Sequence, residues 1–311
     1  MKIVFFGTSE NSVILLAGLA PHFEVAGIVT TPDAPAGRKQ TLTPSLVAQF
    51  AAESELLHGV PILKPGKLKD PEFVAALKAL GADLFIVLSY GKILPSEVIN
   101  LPRLKTINIH PSLLPLYRGP TPMPAALLDG ASVTGNTIIV MDEEMDHGPI
   151  LAQRELAIGP DETYPQLEEK LALDSVGLVL ETVPRYASGE LIPREQDHTR
   201  ATYTAMIKKE DGKVDWNLPA SAIYNRHRAY FRWPGIWTMW DGEILKILGC
   251  RLKDAGVSNR VLPGTVLPDG AIVCGDGNLL ELLTIQRAGK NPTDIKSFLN
   301  GNKNFAGSVL N

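Results

Sequence analysis

Cysteine is nearly absent from this chain. Cys250 and Cys274 are the only two in 311 residues, and they belong to no CxxC or Cys/His cluster. That spacing excludes a disulfide framework and a structural zinc centre, and it suits a reducing, cytoplasmic setting. No apolar run reaches the length of a membrane span, and 45% apolar with 21% charged residues is the composition of a soluble globular protein. The opening "MKIVFFGTSENS" carries one lysine, turns polar at once and lacks a small-residue cleavage site, so it reads as a first strand rather than a leader. Also missing is the three-glycine dinucleotide fingerprint. Gly7 follows the first strand, but Ser9, Glu10, Asn11 and Ser12 occupy the positions where further glycines would admit a pyrophosphate, and no Walker phosphate loop occurs elsewhere.

What is present divides unevenly. Residues 1–199 hold 15 basic and 24 acidic side chains, whereas residues 200–311 hold 15 and 10, so a net charge of −4 conceals a basic tail. A basic segment is suited to an anionic partner such as nucleic acid. Through residue 189, runs such as "KIVFFG", "EVAGIVT", "DLFIVLS", "KTINIH" and "NTIIVMD" alternate with helical patterns. Strands that are apolar without alternation are buried on both faces, which predicts an α/β fold with an open, mainly parallel, Rossmann-like sheet. Residues 190–205 are polar and aperiodic, as an interdomain linker is. Across 206–311, short β-like runs between Gly, Pro and Asp turns predict a smaller barrel or sandwich, closed by a short helix in "PTDIKSFLNG".

Ligands of open α/β sheets bind beyond the carboxyl ends of strands, so polar residues there carry weight. Within "INIHPSLLP", Asn108 and His110 share one face of a strand by its period of two, with Ile107 and Ile109 on the other. The prolines then stop the strand. Such a pair can satisfy loop backbone groups, or it can form a site. A second strand end, "NTIIVMDEEMDHGPIL", offers Asp142, Glu143, Glu144, Asp146 and His147, and an acid from it could reach His110. A metal site of His110, Asp146 and His147 lacks both HxxxH and HExxH spacing.

The segments "KIVFFGTSE", "SYGKILP", "INIHPSLLPLYRG" and "VMDEEMDHGPIL", with "KKEDGKVDWNLPASAIYNRHRAYFRWPG" further on, resemble the folate-dependent formyltransferases nearly end to end. This resemblance implies a formyltransferase sheet over 1–189, a linker over 190–205 and an OB-like β-barrel over 206–311 that binds tRNA. It implies a catalytic triad of Asn108, His110 and Asp146, and 10-formyltetrahydrofolate as cosubstrate beside Ser112, Leu113, Leu114, Pro115 and Tyr90. It further implies an enzyme that formylates the α-amine of methionine on initiator tRNA for translation initiation, without a metal, as a monomer. The tRNA would meet Arg38 and Lys39 in "PAGRKQTLTP" and Lys208 and Lys209 in the tail. Lys213, Arg226, Arg228 and Arg232 extend that basic span, while Trp216, Trp233, Trp237 and Trp240 are expected mostly to fill the core. A sugar-nucleotide amine as acceptor, or an RNA-binding module without activity, are the alternatives.

Overall fold

The computed structural model describes residues 1–37, 40–253 and 261–311. Contacts partition the chain into two units: Met1–Gly119, Val133–Ala157 and Glu168–Thr204 form unit 1, and Pro120–Ser132, Ile158–Leu167 and Ala205–Asn311 form unit 2. Up to residue 187 the elements are β1 (Lys2–Gly7), α1 (Glu10–Leu19), β2 (Glu24–Val29), β3 (Ala34–Ala36), β4 (Thr41–Thr43), α2 (Leu46–Glu53), β5 (Ile62–Leu63), α3 (Pro71–Ala79), β6 (Leu84–Leu88), α4 (Ser96–Ile99), β7 (Thr106–His110), α5 (Pro122–Leu128), β8 (Val133–Val140), β9 (Ile150–Ala157) and α6 (Tyr164–Ala187).

Unit 1 is built on a seven-stranded sheet in the order β5-β2-β1-β6-β7-β8-β9. Strands β5 to β7 are parallel, and their alternate residues enter two separate cores. Ile3, Phe5, Ile86, Ile107 and Ile109 meet α1, α2 and α6 on one face; Val4, Phe6, Phe85 and Val87 meet α3 and α4 on the other. Burial on both sides is why these strands read as unbroken apolar runs. The helices begin where local chemistry permits. Asp70 accepts the Glu72 amide ahead of α3, with Pro71 as first helical residue, and Ser45 accepts the Ala48 amide ahead of α2.

The parallel run ends at β7. Strand β8 is antiparallel to it, Ile107 facing Val140 and His110 facing Thr137, and β9 is antiparallel to β8. The carboxyl end of β8 therefore lies beside the start of β7, not beside His110. This departs from a reading in which both strands end at the same edge, and it decides how Asp146 reaches the site.

Unit 2 follows with α7 (Ala220–Ala229), β10 (Ile236–Trp240), β11 (Glu243–Lys253), β12 (Ala271–Val273), β13 (Leu279–Arg287), β14 (Thr293–Asp294) and α8 (Ile295–Gly301). Its antiparallel sheet runs β10-β11-β13-β12, with β14 also on β13. Beyond β12 the ladder continues through single bridges, Val266 to Ile272 and Thr265 to Val309, and Asn311 returns to Met239 on β10. The sheet thus curls round and closes, leaving few open edges. Trp240, Phe298 and Phe305 fill the interior edge to face, with centroids 5.0–5.5 Å apart, and the Trp216 indole donates to Thr238. Trp233, by contrast, is exposed.

The expected boundaries at 189 and 206 differ from the observed partition in two ways. Residues 194–204 are not a free linker: Arg194 pairs with Ile150 and Tyr203 with Arg118, so this extended strap borrows its hydrogen bonds from unit 1 and needs no period of its own. Unit 2 in turn takes α5 and residues 158–167 from the first half. Arg228 of α7 explains part of this. It is buried and donates to the carbonyls of Gly159 and Glu162, so it is a structural pin rather than a phosphate-tracking side chain, and Arg226 likewise donates to the carbonyls of Asp211 and Lys213. Among the described residues no helix is long and apolar enough to cross a membrane.

Phe305 is fully buried between two aromatic rings. Phe305→Ala should lower the unfolding free energy by about 3–5 kcal/mol, read from urea midpoints at unchanged slope, with Phe305→Leu losing less.

Candidate active site

Asn108 and His110 lie on β7 with their side chains on the face opposite Ile107 and Ile109, as strand periodicity requires. His110 is almost fully buried and Asn108 half-buried. Because β8 is antiparallel, the loop 141–149 must double back over β7 to bring an acid to them. It is pinned at both ends: the Met141 amide donates to the Thr106 carbonyl, and the Val140 amide to the Pro149 carbonyl. Gly148 makes the return possible, since a Cβ there would lie 1.9 Å from the Val140 carbonyl oxygen.

That loop delivers Asp146. Its Oδ1 lies 3.5 Å from His110 Nδ1 and 3.4 Å from Asn108 Nδ2, while Oδ2 accepts the Gly119 amide at 2.8 Å. The three residues singled out on β7 and beyond β8 therefore meet in unit 1. Asp146 holds a left-handed backbone, φ +53°, which costs a non-glycine residue about 1–2 kcal/mol and persists only where the surroundings enforce it.

The other nitrogen of His110 settles the tautomer. Nε2 is 2.9 Å from the Tyr117 carbonyl oxygen, which can only accept, so the neutral ring carries its proton on Nε2 and presents a lone pair at Nδ1, toward Asp146 and Asn108. The site thus contains an amide donor, a proton acceptor and a carboxylate within one small space.

Sequence reasoning missed the residues behind this group. Arg118 is 2% exposed and donates through Nε and Nη2 to Gln196 Oε1, through Nη2 to His198 Nδ1 at 2.8 Å and through Nη1 to the Tyr203 hydroxyl. Gln196, also buried, donates from Nε2 to the carbonyls of Asp146 and Gly148 at 2.9 and 2.8 Å. The His147 ring stacks on His198 at 4.0 Å, and its Nδ1 is 2.7 Å from Asp142. His147 is thus engaged beside the site and not in it. A buried arginine in "LYRG" was the available signal, but its acceptors lie some 80 residues downstream.

The turn after β7 is rigid. Ser112 is buried and its hydroxyl donates to the Leu116 carbonyl; Thr137 donates to the Ser112 carbonyl and accepts the Leu114 amide; Gln153 donates to the Leu114 carbonyl. Leu114 belongs to a core cluster, whereas Leu113 and Pro115 are half-buried. Tyr90 lies in the core against Phe6, edge to face at 5.5 Å, and burial pushes its phenol up to about 12. Among the described residues its hydroxyl has no hydrogen-bond partner, and its ring packs in the core. Arg38 and Lys39 lie outside the described residues; Lys208 and Lys209 are exposed in unit 2. Among the described residues no group of three or more His, Cys, Asp or Glu could hold a metal ion.

Residues 1–183 match the model of the formyl transferase family, and residues 206–303 match its C-terminal domain. The chain belongs to that family. Its curated relatives include the methionyl-tRNA formyltransferase of Chloroflexus aurantiacus, 44% identical over 306 residues and covering 97% of each chain. The methionyl-tRNA formyltransferase of a Roseiflexus species is 42% identical over 317 residues, covering all of this chain and 95% of that one. Among solved structures, the sugar 3N-formyl transferase WlaRD, determined with dTDP and 5-N-formyl-THF, aligns with a TM-score of 0.67 at 18% identity, covering 94% of this chain and 99% of that one. HypX from Aquifex aeolicus in complex with tetrahydrofolic acid aligns with a TM-score of 0.64 at 19% identity, covering 99% of this chain and 48% of that one. At such identities the shared property is the fold.

The tautomer is directly measurable. In ¹⁵N spectra of the neutral His110 ring, Nε2 should resonate as a protonated nitrogen and Nδ1 as a lone-pair nitrogen; the reverse assignment would contradict the geometry.

Proposed function

We propose that this chain transfers the formyl group of 10-formyltetrahydrofolate to the α-amine of methionyl-initiator tRNA, a step serving translation initiation. The observation that carries the chemistry is the meeting of Asn108, His110 and Asp146 around one small volume; the choice of acceptor rests on the curated relatives over essentially the whole chain. When bound, the folate supplies an activated formyl carbon on nitrogen. Leu113 and Pro115 present half-buried side chains at the turn beyond β7, and the fixed backbone of 112–115 offers a rigid wall. Ser112, Leu114 and Tyr90 act in that wall through their backbone and packing, since the Ser112 hydroxyl is bonded to Leu116 and the Leu114 and Tyr90 side chains lie in the core.

The placement of the atoms supports a role for each. As the amine adds to the formyl carbon, the carbonyl oxygen gains negative charge, which the Asn108 carboxamide stabilises by donating a hydrogen bond. The nitrogen must lose a proton, and His110 Nδ1 is the lone pair positioned to accept it. Asp146 then faces a charged imidazolium and stabilises it, and the proton leaves to the folate nitrogen as the old carbon–nitrogen bond breaks. Lys208 and Lys209, exposed in the basic tail, would contribute to phosphate binding together with Arg38 and Lys39 of "PAGRKQTLTP".

Incubation with 10-formyltetrahydrofolate and, separately, methionyl-initiator tRNA, methionyl-elongator tRNA and an aminosugar nucleotide should yield formylmethionyl-initiator tRNA. Formylation of the sugar alone would overturn the assignment, and no product with any acceptor would favour an RNA-binding module. Asn108→Ala and His110→Ala should each lower kcat by roughly 10²–10⁴-fold while tRNA binding survives. Replacing Lys208 and Lys209 by Glu should weaken tRNA binding and flatten its dependence on salt by about one to two logarithmic units of slope; an unchanged slope would remove both lysines from the interface.

A further inference from the structure

Three consecutive residues, Asp146, His147 and Gly148, are held by two residues of the 194–204 strap. Gln196 donates to the carbonyls on either side, those of Asp146 and Gly148, and His198 stacks on His147 between them. Both strap residues answer to one cation. Arg118 grips the Gln196 amide oxygen with two nitrogens, which turns the amide nitrogen toward the loop, and it also donates to His198 Nδ1. A guanidinium has no lone pair, so His198 must accept at Nδ1 and carry its own proton on Nε2 while this arrangement holds.

The grip acts where it is needed. Asp146 has a left-handed backbone that its own preferences oppose, and its carboxylate direction follows from that backbone. Nothing in the loop 141–149 itself reaches the Asp146 carbonyl; the bond comes from Gln196, across 50 residues of sequence. Arg118 stands next to Gly119, whose amide holds the other end of the same aspartate through Oδ2. Backbone and side chain of Asp146 are thus tied to neighbouring anchor points.

We propose that Gln196, oriented by Arg118, is a positioning residue for formyl transfer, setting the direction of the Asp146 carboxylate toward His110. The proposal rests on the formyl-transfer reading for its kinetic consequence but not for its structural one. It assigns the strap a part in turnover that an interdomain linker would not have. Neither side chain needs to touch substrate.

The variant Gln196→Glu separates the two halves of the device. The carboxylate keeps an acceptor for Arg118, so the buried cation stays paired, but it loses both donors and places negative charge against the carbonyls of Asp146 and Gly148. In the full-length protein kcat should fall at least tenfold, with KM for methionyl-tRNA and for the folate donor within about twofold of wild type. By NMR the Gly119 amide, whose acceptor is Asp146 Oδ2, and the amides of 142–149 should exchange faster, while those of β1 and β6 keep their rates. Gln196→Ala should reproduce both effects. Unchanged kcat in both variants, or unchanged exchange at Gly119 and 142–149, would overturn the proposal, and so would uniform acceleration across unit 1, which marks a merely structural role. If wild-type protein formylates no acceptor, the proposed function fails, and the exchange measurement still decides whether the strap holds Asp146.

Discussion

One reversal of strand direction governs the site. Parallel strands β5 to β7 all deliver their carboxyl ends to the same edge, where an open α/β sheet binds ligands. By running the other way, β8 delivers its end to the opposite edge, and although β9 pairs straight back on β8, Ile139 facing Ile150, the residues that connect them pass over the face of β7. The loop that makes the journey is the one carrying Asp146. An acid at the carboxyl end of a further parallel strand would stand beside His110; this one arrives over the face of the strand, where Asn108 and His110 both look. Gly148 and the left-handed Asp146 are the local requirements of that path.

A buried cation supports the arrangement without a buried anion opposite it. The acceptors of Arg118 are an amide oxygen, an imidazole nitrogen and a phenol, and among the described residues no carboxylate pairs with it. A guanidinium taken out of water needs its donors satisfied, and five fixed N–H directions make the partners geometrically exacting. Neutral acceptors leave the Asp146 carboxylate oxygens to Asn108, His110 and the Gly119 amide, while Gln196 links Arg118 to the Asp146 backbone carbonyl. The carboxylate therefore faces Asn108 and His110 instead of closing an ion pair with the arginine.

The sheet and the Asn108–His110 pair were legible in the sequence because each depends on local pattern. Unalternated apolar runs announce strands buried twice, and a period of two places Asn108 beside His110. The direction of β8 was not legible, since the run "TIIV" that announces it fits an antiparallel strand as well as a parallel one. The strap escaped for a related reason: its hydrogen bonds come from Ile150 and Arg118, so nothing in residues 194–204 has to repeat. In the basic span, charge was visible but exposure was not, and Arg228 is buried while Lys208 and Lys209 are exposed. Helix α7 lay hidden there as well, its mixture of Ser, Asn, Arg and His around Ile223 and Tyr224 giving little apolar stripe to detect.

The partition of the chain runs close to this carboxylate. Unit 1 passes into unit 2 between Gly119 and Pro120, and the Gly119 amide is the donor that Asp146 Oδ2 accepts. Pro120 and Thr121 alone separate that donor from Pro122, the first residue of α5. An insertion after Gly119 would therefore lengthen the chain right beside the amide that holds the Asp146 carboxylate, without altering any side chain of the site.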